Sequence, residues 1–252
     1  MTNEIPVFFH PTTVLIVDDD PGYLDLLQLA LGNRFSIEIF TSGQEALYYI
    51  EQQQQITTVT QEFLATPDKM GGVPIWHTIH NERRFDVISS IIIDYAMPGM
   101  DGVAFCEKIK NFPLKKLMLT GEAGDGLAVE AFNKGLISQF IRKQQPQLTN
   151  TIIENLNELE QNHFNEKTQE ILKYIAPSFQ ELLTNSSFIN FFKIFCTKNK
   201  VTEYYPWTEA DTWVLLSHKK VLGWLVVKKE PNSLFYEAQA VGEKAAENVI
   251  SD

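Results

Sequence analysis

The stretch "SSIIIDYAMPGMDG", Ser89 to Gly102, drives three consecutive isoleucines into a lone carboxylate, Asp94, and then turns on Pro98, Gly99 and Gly102. A run that is apolar at every position marks a strand covered on both faces, because a half-buried strand alternates. The charge at its end marks where the strand leaves the sheet. "TVLIVDDD" (Thr13–Asp20) repeats the arrangement and ends in Asp18, Asp19 and Asp20. "KKLMLTG" ends at Thr120, "SQFIRK" ends at Lys143, and "SIEIF" (Ser36–Phe40) completes a set of five strands.

Helical patterns lie between them. "PGYLDLLQLAL" carries Leu24, Leu27 and Leu31 on one side, with Pro21 at an early helix position that tolerates it. "SGQEALYYIEQQQQ" (Ser42–Gln55) opens with Ser42 and Glu45 in capping-box spacing. "GVAFCEKIKNF" and "DGLAVEAFNKG" follow, the latter closed by Gly135. With a fifth helix after Pro146, strand and helix alternate five times, which predicts an α/β fold: a (βα)5 doubly wound parallel sheet, flavodoxin-like in class. In such sheets, binding and chemistry gather in the crevice at the carboxyl ends of the strands. Asp18, Asp19, Asp94, Thr120 and Lys143 should therefore meet.

Two carboxylates 4 Å apart repel by about 4 kcal/mol at an effective dielectric near 20. A divalent cation relieves this, and oxygen ligands without His or Cys favour Mg²⁺ or Mn²⁺. The chemistry implied is phosphoryl transfer with Asp94 as nucleophile. The metal and Lys143 would neutralise the phosphoryl charge, and Thr120 would hydrogen-bond it. Asp101 reads as a helix cap rather than a ligand. His77 and His80, in "IWHTIH", have no adjacent acids to complete a metal site and lie in the loose stretch from Gln54 to Phe85. That stretch is far longer than the usual α/β connection of about 6 residues, and reads as an exposed insertion with little regular structure.

From Thr13 to Pro146 the chain resembles the receiver domain of bacterial two-component response regulators, the CheY-like fold. The motifs that carry this are "VLIVDDDP", "IIIDYAMPGMDG", "LMLTGEAG" and "GLISQFIRK", in order and each at a strand end. The resemblance implies that Asp94 is the phosphoacceptor, and that Asp18, Asp19 and Asp94 hold Mg²⁺ with the backbone carbonyl of Ala96. It also implies that Thr120 and Lys143 are the switch hydroxyl and lysine, and that Phe140 is the aromatic whose rotamer couples to phosphorylation. The donor it implies is a sensor histidine kinase or a phosphotransfer protein. Three departures stand out. Gln144 follows Lys143 where a proline is usual, the insertion is long, and Phe140 lacks the hydroxyl of the commoner tyrosine.

The rest of the chain changes character. We expect a receiver domain over 1–146 with the insertion at about 54–85, a linker helix over 147–175, and a small α+β output or interaction domain over 176–252. Ile152, Leu156 and Leu159 form a partial heptad seam, weakened by His163 and Glu166. "SSFINFFKIFCTKNK" reads as a helix apolar on most sides. "VTEYYPW", "DTWVLLSH" and "VLGWLVVKK" read as strands, the last two a hairpin around His218 and Lys219, and "SLFYEAQAVGEKAAENVI" reads as a closing amphipathic helix. The net charge is −11, acids exceed bases in both halves, and no arginine follows Arg142. Tight nucleic-acid binding is therefore not expected. Output by protein–protein contact is expected, and a homodimer is a further candidate assembly. Two other readings fit the same residues: a constitutive or degenerate receiver acting as a dimeric scaffold joined through the helix at 147–175, and a regulator with atypical DNA-binding output. Cys106 and Cys196 fit packing roles in a reducing compartment. No run approaches a membrane span and the N-terminus is no signal peptide, so a cytoplasmic, non-enzymatic signalling protein is expected.

Overall fold

The computed structural model describes residues 4–53, 60–61, 73–121, 124–207, 212–218, 220–230 and 233–239. In chain order the described helices are α1 (Pro21–Leu31), α2 (Gly43–Gln53), α3 (Val73–His80), α4 (Gly102–Lys108), α5 (Asp125–Asn133), α6 (Leu148–Ile171), α7 (Pro177–Thr184) and α8 (Ser186–Lys198). The strands are β1 (Thr13–Val17), β2 (Ser36–Phe40), β3 (Ile88–Asp94), β4 (Lys115–Thr120), β5 (Gln139–Arg142), β6 (Glu203–Pro206), β7 (Thr212–Ser217), β8 (Lys220–Glu230) and β9 (Ser233–Gln239). The chain divides into two compact units. The first is Thr12–Ile56 with Phe85–His163, and the second is Met1–Pro11, Thr57–Arg84 and Phe164–Asp252. The chain-order boundaries expected at 146 and 176 do not coincide with this division. The linker helix expected over 147–175 is α6 followed by a 3-10 turn at Leu172–Tyr174.

The first unit is a parallel five-stranded sheet in the order β2-β1-β3-β4-β5. Every residue of β1 and β3 is buried, as a strand covered on both faces requires. Alternate side chains go to opposite faces. Leu15, Val17, Ile91, Ile93 and Met118 join Ala46 and Ile50 of α2, Phe105 of α4 and Ala128 of α5 in one core. Val14, Ile16, Ile92, Leu117 and Leu119 join Leu24 and Leu27 of α1 and Ile152 and Leu156 of α6 in the other. This is a doubly wound, flavodoxin-like fold. The loop after β3 has two glycine requirements. Gly99 sits at φ +77, and a Cβ on Gly102 would lie 2.5 Å from the Asp94 carbonyl oxygen.

The second unit holds an antiparallel sheet, β6-β7-β8-β9. Its core is aromatic. The Trp213 ring packs on Phe179, Phe188 and Phe192 at centroid distances of 4.0, 5.2 and 5.6 Å. Residues of the N-terminus belong here. Phe9 bridges to Tyr204, and the Val7 amide donates to Thr168 Oγ1 at 2.9 Å. Burial pushes the thiols of Cys106 and Cys196 up to about 12, which fits packing roles. No described helix is long and apolar enough to cross a membrane.

Three expectations need correction. The closing helix is instead strand β9 over Ser233–Gln239, and residues 240–252 lie outside the described residues. The helical spacing of Leu234 and Ala238 is real, but β8 has an edge to be paired, and that pairing overrides it. The insertion is not structureless, since α3 and a 3-10 turn at Glu82–Asp86 occupy its end; residues 54–59 and 62–72 lie outside the described residues. The helix that is apolar on most sides, and so expected to be buried, is buried on one side only. In α8, Phe188, Ile189 and Phe192 are buried while Ile194 is exposed.

Candidate functional site

Register brings the candidate residues together. Val17 of β1 pairs with Ile93 of β3, so the next residues, Asp18 and Asp94, leave the sheet side by side. Asp94 pairs with Leu119 of β4, which makes Thr120 the following residue on the next strand. Thr120 pairs with Arg142 of β5, and Lys143 comes directly after, its amide donating to the Thr120 carbonyl at 2.8 Å. The strand order reverses between β1 and β3, the point where an open α/β sheet leaves a crevice.

Lys143 Nζ lies 2.7 Å from Asp18 Oδ2 and 2.8 Å from Asp94 Oδ1, and both carboxylates are buried. The second oxygen of each is held by a backbone amide. Asp20 N donates to Asp18 Oδ1 at 3.0 Å, and Ala96 N donates to Asp94 Oδ2 at 2.9 Å. Burial, with the neighbouring Asp94 charge, holds the Asp18 carboxyl above its ordinary pKa despite the Lys143 hydrogen bond. Burial works against the Lys143 charge too, but hydrogen bonds to Asp18 and Asp94 outweigh it and raise its pKa. Asp19 is exposed, yet it offers a carboxylate oxygen to the same cluster: one oxygen each from Asp18, Asp19 and Asp94 lie within 4.8 Å of one another. Three carboxylates against one ammonium leave surplus negative charge. The donors are all oxygen, so the set fits a hard divalent cation such as Mg²⁺ or Mn²⁺.

Thr120 is fully buried, and its Oγ1 donates to Asp125 Oδ1 at 3.1 Å. Asp125 Oδ2 in turn pairs with Arg142 at 2.7 Å. Phe140 is partly buried, and its ring meets the exposed Phe132 edge-on at 6.4 Å. A Cβ on Gly121 would meet only the Gln144 amide, at 3.8 Å, so packing does not demand glycine there. No cis peptide occurs among the described residues, and beyond Gln144 the chain turns through Gln147 at φ +56. Asp101 caps α4 by accepting from Ala104 N at 2.7 Å, and Asp20 caps α1 by accepting from Gly22 N at 2.9 Å. His77 and His80 are exposed on α3 and belong to no described cluster of potential metal ligands.

Sequence reasoning missed Asp125, Arg142 and Tyr23. The Tyr23 ring lies 4.5 Å from Lys143 Nζ. Arg142 was within reach, because parallel register sets it beside Thr120. Asp125 and Tyr23 sit in first turns of helices, whose direction depends on how each helix docks.

A family model described as the response regulator receiver domain matches residues 70–154, a stretch that contains Asp94, Thr120 and Lys143. The chain carries a response regulator receiver domain. Asp18 and Asp19 precede the matched stretch, which begins inside the insertion. The chain is similar to the response regulator LqsR of Legionella pneumophila, at 29% identity and a TM-score of 0.76 over 91% of this chain and 70% of that one. That likeness runs past the receiver domain. A response regulator receiver domain protein from Clostridium thermocellum aligns at 18% identity and a TM-score of 0.42, over 62% of this chain and 96% of its own. No curated protein sequence matches. The receiver domain supports a place for the chain in two-component signalling in general.

Proposed function

We propose that this response regulator accepts a phosphoryl group on Asp94 from a sensor histidine kinase or a phosphotransfer protein. The observation that carries the reading is the Lys143 ammonium bridging Asp18 and Asp94, 2.7 and 2.8 Å away, at the carboxyl edge of the sheet. An Asp94 carboxylate oxygen attacks phosphorus, the P–N bond of the donor phosphohistidine breaks, and the bonding pair returns to the imidazole. The Ala96 amide holds one Asp94 oxygen and so sets the carboxylate's orientation. Lys143 offsets charge on the transferring group. Asp18, Asp19 and Asp94 would hold Mg²⁺ or Mn²⁺ with the Ala96 carbonyl, and the cation would supply further charge neutralisation at the phosphoryl oxygens.

Thr120 then exchanges its Asp125 partner for a phosphoryl oxygen, and Phe140 takes up the space released. Output passes to the second unit and on to a protein partner. Two features support protein contact over nucleic acid: α8 commits Phe188, Ile189 and Phe192 to the core, and no arginine follows Arg142. The test is labelling with a small phosphodonor and Mg²⁺, read by intact mass. Wild type is expected to gain one phosphoryl group and Asp94→Asn none. Equal labelling of the two removes Asp94 from the role.

A further inference from the structure

We infer that Tyr23 is a positioning residue of this site: its ring holds the Lys143 ammonium over the Asp18–Asp94 pair, an inference that rests on Asp94 being the phosphoacceptor. Tyr23 is the third residue of α1, and its backbone is fixed by the Asp20 cap, whose Oδ1 accepts the Tyr23 amide at 3.2 Å. The side chain is anchored by packing against the core shared by α1 and α6. From there the ring faces Lys143 Nζ at 4.5 Å from its centroid, inside the range over which an aromatic face attracts an ammonium. The same nitrogen touches Asp18 and Asp94. Lys143 is thus held by carboxylates and by an aromatic face.

The two kinds of contact respond differently to phosphorylation. A lysine stem is long and flexible, and the Asp94 contact is altered once that carboxylate becomes an acyl phosphate. The ring contact is indifferent to that event. It keeps the ammonium within reach of the phosphoryl oxygens during transfer. The tyrosine hydroxyl takes no part: it is buried and has no hydrogen-bond partner among the described residues. The ring, not the hydroxyl, is what the site uses, so phenylalanine should substitute and leucine should not.

The experiment uses the full chain as wild type, Tyr23→Phe and Tyr23→Leu, each also combined with Lys143→Met. Acetyl phosphate with Mg²⁺ is the probe, and the initial rate of acyl-phosphate formation at Asp94 is measured. Tyr23→Leu is expected to slow labelling about five-fold, the factor a single partly exposed cation–π contact supplies. Tyr23→Phe should stay close to wild type. In the Lys143→Met background, Tyr23→Leu should change nothing further, an outcome a purely structural role does not predict. Independently of any phosphoryl group, the Lys143 ε-methylene protons should show an upfield ring-current shift by NMR in wild type and Tyr23→Phe, and lose it in Tyr23→Leu. Labelling of Tyr23→Leu at the wild-type rate overturns the inference. So does an equal slowing with and without Lys143, or an unshifted methylene in wild type. A wild type that shows the ring shift but takes no label at Asp94 overturns the phosphoacceptor reading instead.

Discussion

Thr120 is buried beside Asp94, yet its hydroxyl donates to Asp125. For Thr120 to serve a phosphoryl group it must first leave that carboxylate, and hydrogen bonds to charged groups contribute about 1.5–3 kcal/mol. Asp125 therefore biases the resting state. Asp125→Ala should tighten beryllofluoride binding in the presence of Mg²⁺ by up to about ten-fold, the lower end of that range. Unchanged affinity in a fluorescence titration would show that the Asp125 contact imposes no such bias. Asp18, Asp94 and Lys143 could be picked out from sequence because a strand end has one direction to go. Asp125 could not, because its aim follows from the docking of α5.

At the level of elements, α6 shows how a pattern can be right and its partner wrong. Ile152, Leu156 and Leu159 do form a seam, but all three are buried in the first unit's own core, so the seam is not a free dimer face. On the same helix, Glu160 accepts the Thr12 hydroxyl at 2.8 Å, and Thr12 meets Ser89 at 2.7 Å. Burial pushes the Glu160 carboxyl from its ordinary 4.5 up to about 7. Between these values the folded chain holds a proton that the unfolded chain releases, so stability from this group is complete below about 4.5 and is lost as pH rises through 7. Glu160→Gln keeps an acceptor for Thr12 and cannot ionise. It should melt higher than wild type above pH 7 and match it near pH 4.5, read by thermal melts across that range. Parallel melting curves for the two proteins across the whole range would count against the buried-acid account.

At the scale of the whole molecule, the second unit is assembled from segments far apart in sequence. Arg84, at the end of the insertion, forms a two-pronged pair with Glu203 of β6, with Nε–Oε2 at 2.8 Å and Nη2–Oε1 at 3.1 Å. The Tyr205 hydroxyl adds a third bond to Glu203 at 3.0 Å. Breaking a buried pair on one side costs about 3–5 kcal/mol, because a charge is left unpaired in the interior. Arg84→Met should lose about that much in urea unfolding, and Arg84→Met with Glu203→Leu should regain most of it. Equal losses in the two variants would mean that the arginine matters through packing alone. Arg84 drew no attention in sequence because it lies in a stretch without strong periodicity, and its partner is 119 residues away. By itself, the sequence determined the parallel sheet, its order of strands along the chain, and the residues delivered to its carboxyl edge. Those follow from local rules: apolar runs make covered strands, and alternation with helices makes them parallel. Tertiary structure alone decided that the closing segment at Ser233–Gln239 is a strand, that the α6 seam faces the sheet, and that Tyr23 and Asp125 flank Lys143 and Thr120. Each of those depends on which surface a neighbouring element presents, and no local pattern encodes that.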